Sequence, residues 1–541
     1  MFPDSRMRFP PVRLLLGLVL GAGILHARPP EEFPGLGEKW RYYTSPHFEM
    51  YSAADDFSSR DALQRLELLR AIVLDNFKLK ERLPLPVTIF YFDSTRDFLG
   101  YLPDEYKKNQ SYVGFCVNQA DRTVITLSPS ENDDAARTVI YHEYIHYVFR
   151  ITEQNPAPWF NEGVAELYST IKDGPLGVEV GLPSVGRTMD LRHSSMLPLE
   201  QLFGATYGSE IFTHDGHTGV FYAESWAFLH FCLFGTSKFS PEKLHEFLDL
   251  ASDPATQAHP EVVRQACRDL LGCDYPELIR QVERYIVDGS YHWRRFTRPK
   301  IDPPKSYAQR PVTREEMTDR LAELSLRINR TPSAKLELLH AVDREPGSAR
   351  LQEVLGNDAL RDGEMTGVRE HWEKAVALDT PNPAIYHQLG RIEGERWFSR
   401  FDYYFRMPPE RADRLRKLLH RSIERAPEQS DAYETLAWVE ATSAEPYVAN
   451  VNLVQSRFPT LNHKARTLLA LSLVRVHLGD TPAAAALLDQ IGHLRPDAAV
   501  TRAAAIIRAK IDEREVGPQE AAEVVPDPIP AHDLVLPIPH R

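Results

Sequence analysis

The stretch His142-Glu143-Tyr144-Ile145-His146, followed by Trp159-Phe160-Asn161-Glu162-Gly163-Val164-Ala165-Glu166, decides how this chain is read. In H-E-x-x-H the two imidazoles stand one helical turn apart on one face. Both ring nitrogens can then reach a single tetrahedral metal ion at about 2.0–2.1 Å. Glu143 stands one step round the helix, too far off axis to ligate and close enough to take a proton from water on the metal. The third ligand has to come from elsewhere, and Glu162 is the candidate. Glu166, one turn further on, can accept the outer N–H of a ligating histidine and fix its tautomer. A solvated helix carboxylate is the plain alternative for Glu166.

The flanks support a buried helix. Ala135 to Tyr141 contains neither Gly nor Pro, and Asn132, Asp133 and Asp134 offer N-cap chemistry. Val139, Ile140, Tyr144, Ile145, Val148 and Phe149 are apolar at near-helical spacing. Two unpaired histidines on such a helix are costly unless something satisfies them. The bland alternative is a core helix with two hydrogen-bonded histidines and a solvated glutamate. Pro156 and Pro158 break the chain and start a second helix with Glu162 and Glu166 on one face. Trp159 and Phe160 are expected to pack beneath the site, and Tyr141, Tyr144 and Tyr147 to pack in core and rim.

These residues resemble the gluzincin superfamily of zinc metallopeptidases, where H-E-x-x-H is followed, after a spacer, by E-G-x-A-E on a second helix. The nearest likeness is to the peptidase MA-like families, over about residues 39–295. His142, Glu143, His146 and Glu162 align one by one with that family's ligands and base. The resemblance implies zinc, one ion per chain, and a mixed sheet packed on the active-site helix. It also implies an edge strand beside the cleft that pairs with the substrate backbone. Thr123-Val124-Ile125-Thr126-Leu127-Ser128 is the strand-like run in that place. The G-x-M-E-N type sequence that grips a free N-terminus in gluzincin aminopeptidases is missing, which favours an endopeptidase over an aminopeptidase.

Such a site needs a donor for the developing oxyanion. Tyr222 is the candidate, since it precedes the apolar run Ala223 to Leu229 and gluzincin aminopeptidases carry a tyrosine at a similar distance after the glutamate ligand. A packing tyrosine is the alternative. His214 and His217, in a polar Gly-containing loop, are the other donors considered, with plain surface as their alternative.

The chain of 541 residues has room for two to four domains. It is 43% apolar and 26% charged, ample for real cores, and its net charge of −13 argues against nucleic-acid binding as a main role. Arg6, Arg8 and Arg13, the apolar run Leu14 to Leu25 and the Leu25-His26-Ala27 step read as a secretory signal over 1–27. The expectation is an exported protein, periplasmic or secreted, with no integral membrane segment once the signal is cleaved. An uncleaved anchor is the alternative. Four cysteines in so long a chain are not a disulfide scaffold, although Cys267 and Cys273 are close enough in sequence to pair. Cys116 and Cys232 read as small buried hydrophobes.

Further along, the character changes. His47 to Tyr51 and Val87 to Phe92 read as strands flanking a helix over 57–78, which with the motif helices predicts an α+β domain. Residues 225–292 read as mostly helical and as the second wall of the cleft. Pro299, Pro303, Pro304 and Pro311 mark 296–313 as a linker. Beyond it, over 314–513, Leu389-Gly390 repeats Leu355-Gly356 after 34 residues, and Leu471-Ser472 follows Leu436-Ala437 after 35. Val368, Trp372 and Ala375 take the complementary helix positions, as do Ala484, Leu488 and Ile491, and Arg400 to Arg411 is an insertion. This resembles degenerate tetratricopeptide repeats, whose stacked helix pairs leave a concave face for a protein partner; a generic helical bundle is the alternative. The Pro-rich tail over 514–541 is expected to be disordered.

The expected architecture is thus an α+β zincin-like domain followed by an all-α repeat domain. The expected activity is hydrolysis of peptide bonds in a protein or peptide substrate. Two alternatives stay open: a repeat-based binding scaffold whose metal site is vestigial or structural, and a zinc hydrolase acting on something other than a protein.

Overall fold

The computed structural model describes residues 33–102, 114–129, 133–212, 218–235, 239–257, 259–328, 331–398, 406–494, 496 and 498–512. The signal over 1–27, Asn132, the loop with His214 and His217, most of the insertion after residue 398 and the tail over 514–541 lie outside them.

The first half is built on a mixed sheet. Strands β1 (Arg41–Thr44) and β2 (Glu49–Ser52) form an antiparallel pair, and helix α1 (Asp56–Asn76) crosses over to β3 (Val87–Tyr91), parallel to β2. The Asp55 carboxylate caps α1 by accepting from the Phe57 and Ser58 amides. A short α2 (Thr95–Leu99) precedes β4 (Gly114–Asn118) and β5 (Thr123–Leu127). Strand β5 lies parallel to β3, and β4 pairs antiparallel with β5 on its other side. The run Thr123 to Ser128 is therefore an internal strand, and the outermost described strand next to it is β4. Its five buried residues explain the placement: a strand covered on both faces needs apolar or hydrogen-bonded side chains throughout.

Helix α3 (Asp133–Ile151) carries H-E-x-x-H, and α4 (Pro158–Ser169) carries Glu162 and Glu166. Met50, Ile89 and Ile125 face Ile72 of α1 and Ile145 and Val148 of α3 in one core. Tyr144 is fully buried with its ring 5.5 Å from that of Phe48, and the Tyr147 hydroxyl donates to the Leu85 carbonyl at 2.7 Å. These tyrosines pin α3 to the sheet by packing. After α4 come a hairpin of β6 (Lys172–Gly174) and β7 (Gly177–Val180), then α5 (Val185–His193), α6 (Leu199–Gly204) and α7 (Thr218–Phe234). Helices α8 (Pro241–Ser252), α9 (Pro254–Gln257), α10 (Pro260–Ala266) and α11 (Tyr275–Asp288) complete the helical wall. Trp159 lies fully buried between Phe203 and Phe228 and donates its indole N–H to the Ala251 carbonyl, as a residue packed beneath the site should. All four thiols are free, and Cys267 Sγ donates to the Cys273 carbonyl at 3.2 Å where a disulfide was an open option.

The stretch 296–313 is not a linker. Phe296 ends β8 (Arg294–Phe296), which pairs with β7, and β9 (Ala308–Pro311) pairs antiparallel with β1. The six-stranded order is β4-β5-β3-β2-β1-β9. Pro299, Pro303 and Pro304 lie in the connection between β8 and β9, and Pro311 ends the exposed edge strand β9, where a missing ladder N–H is harmless. The next helix, α12 (Arg314–Ile328), covers the second face of the sheet: Met317, Leu321 and Leu324 pack on Tyr51, Phe90 and Val124. Sheet and helical half share this helix, so the boundary read at 313 cuts through a core.

Paired with α12 is α13 (Pro332–Arg344), and further helix pairs follow: α14 (Ala349–Arg361) with α15 (Met365–Ala377), α16 (Pro383–Phe398) with α17 (Pro409–Arg425), α18 (Ser430–Thr442) with α19 (Val448–Arg457), and α20 (Lys464–His477) with α21 (Thr481–Gly492), before α22 (Ala498–Ile511). The four small-residue steps read from the sequence fall on α14, α16, α18 and α20. Gly356 shows why: a Cβ there would stand 2.3 Å from the Trp372 ring. The two halves are joined by buried ion pairs. Arg327 donates to both oxygens of Asp121 at 3.0 and 2.6 Å, and Arg350 bridges Glu49 at 2.6 Å and Glu323 at 2.9 Å. Losing one partner of such a pair leaves a buried charge uncompensated.

Candidate metal centre

Helices α3 and α4 meet at the motif. His142 Nε2 lies 3.2 Å from Glu162 Oε2, and His146 Nε2 lies 3.5 Å from the same oxygen. One ligand atom from each of the three residues lies within 4.8 Å of the other two. The i, i+4 spacing brings the rings to 4.9 Å between centroids, and Pro158 starts α4 so that Glu162 points back at both.

Each histidine is held by its other nitrogen. His142 Nδ1 lies 3.3 Å from Glu166 Oε1, which also accepts from Arg187 Nη2 at 2.5 Å. His146 Nδ1 lies 2.9 Å from Asn161 Oδ1, and the Asn161 amide N–H donates to the Tyr207 hydroxyl at 2.7 Å. Tyr207 in turn can donate to Glu162 Oε1 at 3.5 Å. The chain of donors runs one way: a proton on His146 Nδ1, the amide of Asn161, then the phenol. That order puts the lone pair of His146 on Nε2, facing Glu162.

The donors fit a divalent cation. Glu162 is fully buried, and neither its Oε2 nor His146 Nε2 has a hydrogen-bond partner among the described residues. A buried carboxylate against two imidazole edges is costly to fold unless a positive charge sits between them. Without an ion that charge is a proton. Burial by itself would lower the His142 pKa, but Glu162 and Glu166 push it up to about 10. Burial by itself would raise Glu162, and the two imidazoles hold it far below the ordinary carboxylate range. A metal has to displace these protons to enter.

Glu143, on the same turn of α3, is buried, and its charge bears on His146, Tyr222 and Tyr207. Tyr222 is 2% exposed, with its ring 6.1 Å from that of His142 and the Arg187 guanidinium 5.4 Å above its face. Burial, then the charge of Glu162, keeps its hydroxyl protonated far above the usual range. All the named motif residues and Tyr222 therefore share one site. Asn161, Arg187 and Tyr207 also belong to it and were not read from the sequence. Asn161 offered a signal, since its place beside Glu162 lets it reach the second histidine. Arg187 and Tyr207 arrive from α5 and from the turn after α6, with no periodic relation to the motif.

The close approach of α4 and α7 rests on Gly163. A Cβ at that position would stand 2.7 Å from the Ser225 carbonyl oxygen. Gly163→Ala is expected to destabilise the fold by about 1–3 kcal/mol and to weaken metal binding, because the neighbouring residue is Glu162. Chemical denaturation and metal titration of the variant check both; unchanged values would show that α7 gives way freely.

No family model matches the chain, and no curated protein matches it.

Proposed function

We propose that this protein is a zinc-dependent metallopeptidase of the gluzincin kind, with a zincin-like catalytic half and tetratricopeptide-like repeats. His142, His146 and Glu162 would hold the ion, and Glu143 would be the general base. The observation that carries this reading is the convergence of two oriented imidazole nitrogens on one buried carboxylate oxygen. A structural zinc site usually closes all four positions with Cys and His, whereas three protein donors of this type leave one open. Zinc there would supply Lewis acidity, polarising a substrate carbonyl and acidifying water.

The chain's own residues do the rest. Glu143 takes a proton from water and passes it to the leaving amine. Glu166 fixes the His142 tautomer, and Arg187 neutralises Glu166 so that it serves His142 and does not compete for the ion. Asn161 does the same for His146 through its carbonyl oxygen. Tyr222 keeps its proton at any working pH and so can donate to the oxyanion. An extended peptide lying along β4, beside α3, would pair through its main chain and present its carbonyl to this cluster. Export by the 1–27 signal belongs to the same proposal. Among the described residues no helix is long and apolar enough to cross a membrane.

Digestion of a peptide library with and without a chelator tests the reading. Cleavage that stops on chelation and returns with zinc supports it; a pure, folded, zinc-loaded protein that cuts nothing argues for the binding-scaffold alternative. Tyr222→Phe is expected to lower kcat by about 10²–10³-fold, while Tyr207→Phe, which loses a partner of Asn161 and a long contact to Glu162, should lower it by about tenfold or less. Equal effects would show that Tyr207 shares the oxyanion role. Zinc entry should release protons at neutral pH, that of His142 above all, whose value is pushed up to about 10. Both folded-state values are raised, so the protons compete below them and apparent affinity climbs with pH. Calorimetry in buffers of different ionisation enthalpy reads the number; buffer-independent heats would contradict it.

A further inference from the structure

A second group of metal-ligating side chains lies where the helical half meets the end of α3. Asp431 stands in the first turn of α18, Glu434 follows on the next turn, and His463 immediately precedes α20. One ligand atom from each lies within 4.8 Å of the other two. Asp431 is 6% exposed and Glu434 2%. Glu434 Oε1 is saturated: it accepts from Ser430 Oγ at 2.7 Å and from the Asn462 and His463 amides at 3.0 and 2.8 Å. Its other oxygen, Oε2, is buried and accepts no hydrogen bond among the described residues. A carboxylate oxygen sealed from water with no donor is the arrangement that a bound cation relieves.

A third acid adjoins the group. Glu153, just past the end of α3, has a side chain 6% exposed and accepts from the Ser430 amide at 2.7 Å and the Asp431 amide at 3.5 Å. It holds a left-handed backbone, φ 52°, which a residue with a Cβ adopts only at a cost. The Asn462 side chain donates to the Glu153 carbonyl at 2.9 Å, so the end of α3, the start of α18 and the approach to α20 converge here. Arg82 is the cation beside them, 3.8 Å from Glu153, and its guanidinium is also engaged by the Thr460 carbonyl at 2.8 Å.

We propose that Asp431, Glu434 and His463 form a second divalent-cation site, one that clasps α18 to the start of α20 beside the end of α3. Two carboxylates and one imidazole are a mixed oxygen and nitrogen set, which suits a first-row transition ion such as Zn²⁺ better than Ca²⁺ or Mg²⁺, which prefer oxygen alone. The ion is structural: it ties two successive helix pairs together where they meet the end of α3. This inference needs no peptidase activity and stands or falls separately from it.

The test is uptake of Zn²⁺ by the full chain after chelation. The wild-type protein should take up about two equivalents, His146→Ala about one, and Glu434→Gln with His463→Ala about one. The remaining equivalent in His146→Ala should raise Tm by several degrees at saturating zinc, and Glu434→Gln with His463→Ala should lose that part of the shift. An uptake that this double variant does not change would overturn the proposal, as would a His146→Ala protein that binds no zinc. Should the double variant not fold, diffraction at the zinc edge from wild-type crystals soaked in ZnCl₂ decides. A peak between Asp431, Glu434 and His463 supports the site; saturation of the first site with nothing there means the carboxylates share a proton instead.

Discussion

Glu143→Gln is expected to keep its zinc and to lose peptide hydrolysis by on the order of 10²–10⁴-fold in kcat. Gln has the shape of Glu and cannot take a proton. Glu143 is absent from the group of donors that converge on one point, so its replacement should leave metal affinity as it was. The comparison is single-turnover cleavage by wild-type and variant proteins of equal zinc content. Retained turnover would mean that another group moves the proton.

Glu162→Ala should have the opposite signature. It removes the one carboxylate of the converging set and leaves two buried imidazoles with no anion between them. Zinc affinity at this centre should then fall by far more than the 10–100-fold that losing an orienting partner costs. Glu166→Gln supplies that smaller loss for comparison, since the Glu166 carboxylate holds His142 and Arg187 and is not one of the converging donors. Competition titrations against a fluorescent zinc chelator rank the three proteins. If Glu162→Ala and Glu166→Gln weaken zinc equally, Glu162 is not a ligand.

The helices α3 and α4 were legible because helical period is a local property: residues four apart share a face wherever the chain goes. The sequence therefore puts His142 and His146 on one face of α3 and Glu162 and Glu166 on one face of α4; that the two faces meet is a tertiary contact. Strand order was not legible in the same way. Thr123 to Ser128 reads as a strand, but whether β4 lies outside it depends on pairing, which leaves no mark in β5 itself. Pro299, Pro303 and Pro304 read as a linker, and β9 after them, with all four residues exposed, carries no apolar alternation that marks a strand. Helix α12 escaped the repeat pattern because its buried side chains include Asp319, Arg320, Glu323 and Arg327, so apolar periodicity is interrupted where it meets the sheet. Arg187 and Tyr207 join the site through loops, and no spacing rule links them to it.

The most direct measurement is an anomalous difference map at the zinc edge from crystals of the zinc-loaded full chain. A peak about 2 Å from His142 Nε2, His146 Nε2 and a Glu162 oxygen is the expected result. Crystals grown at saturating zinc with no peak there, and with both imidazoles still in direct contact with Glu162, would contradict it.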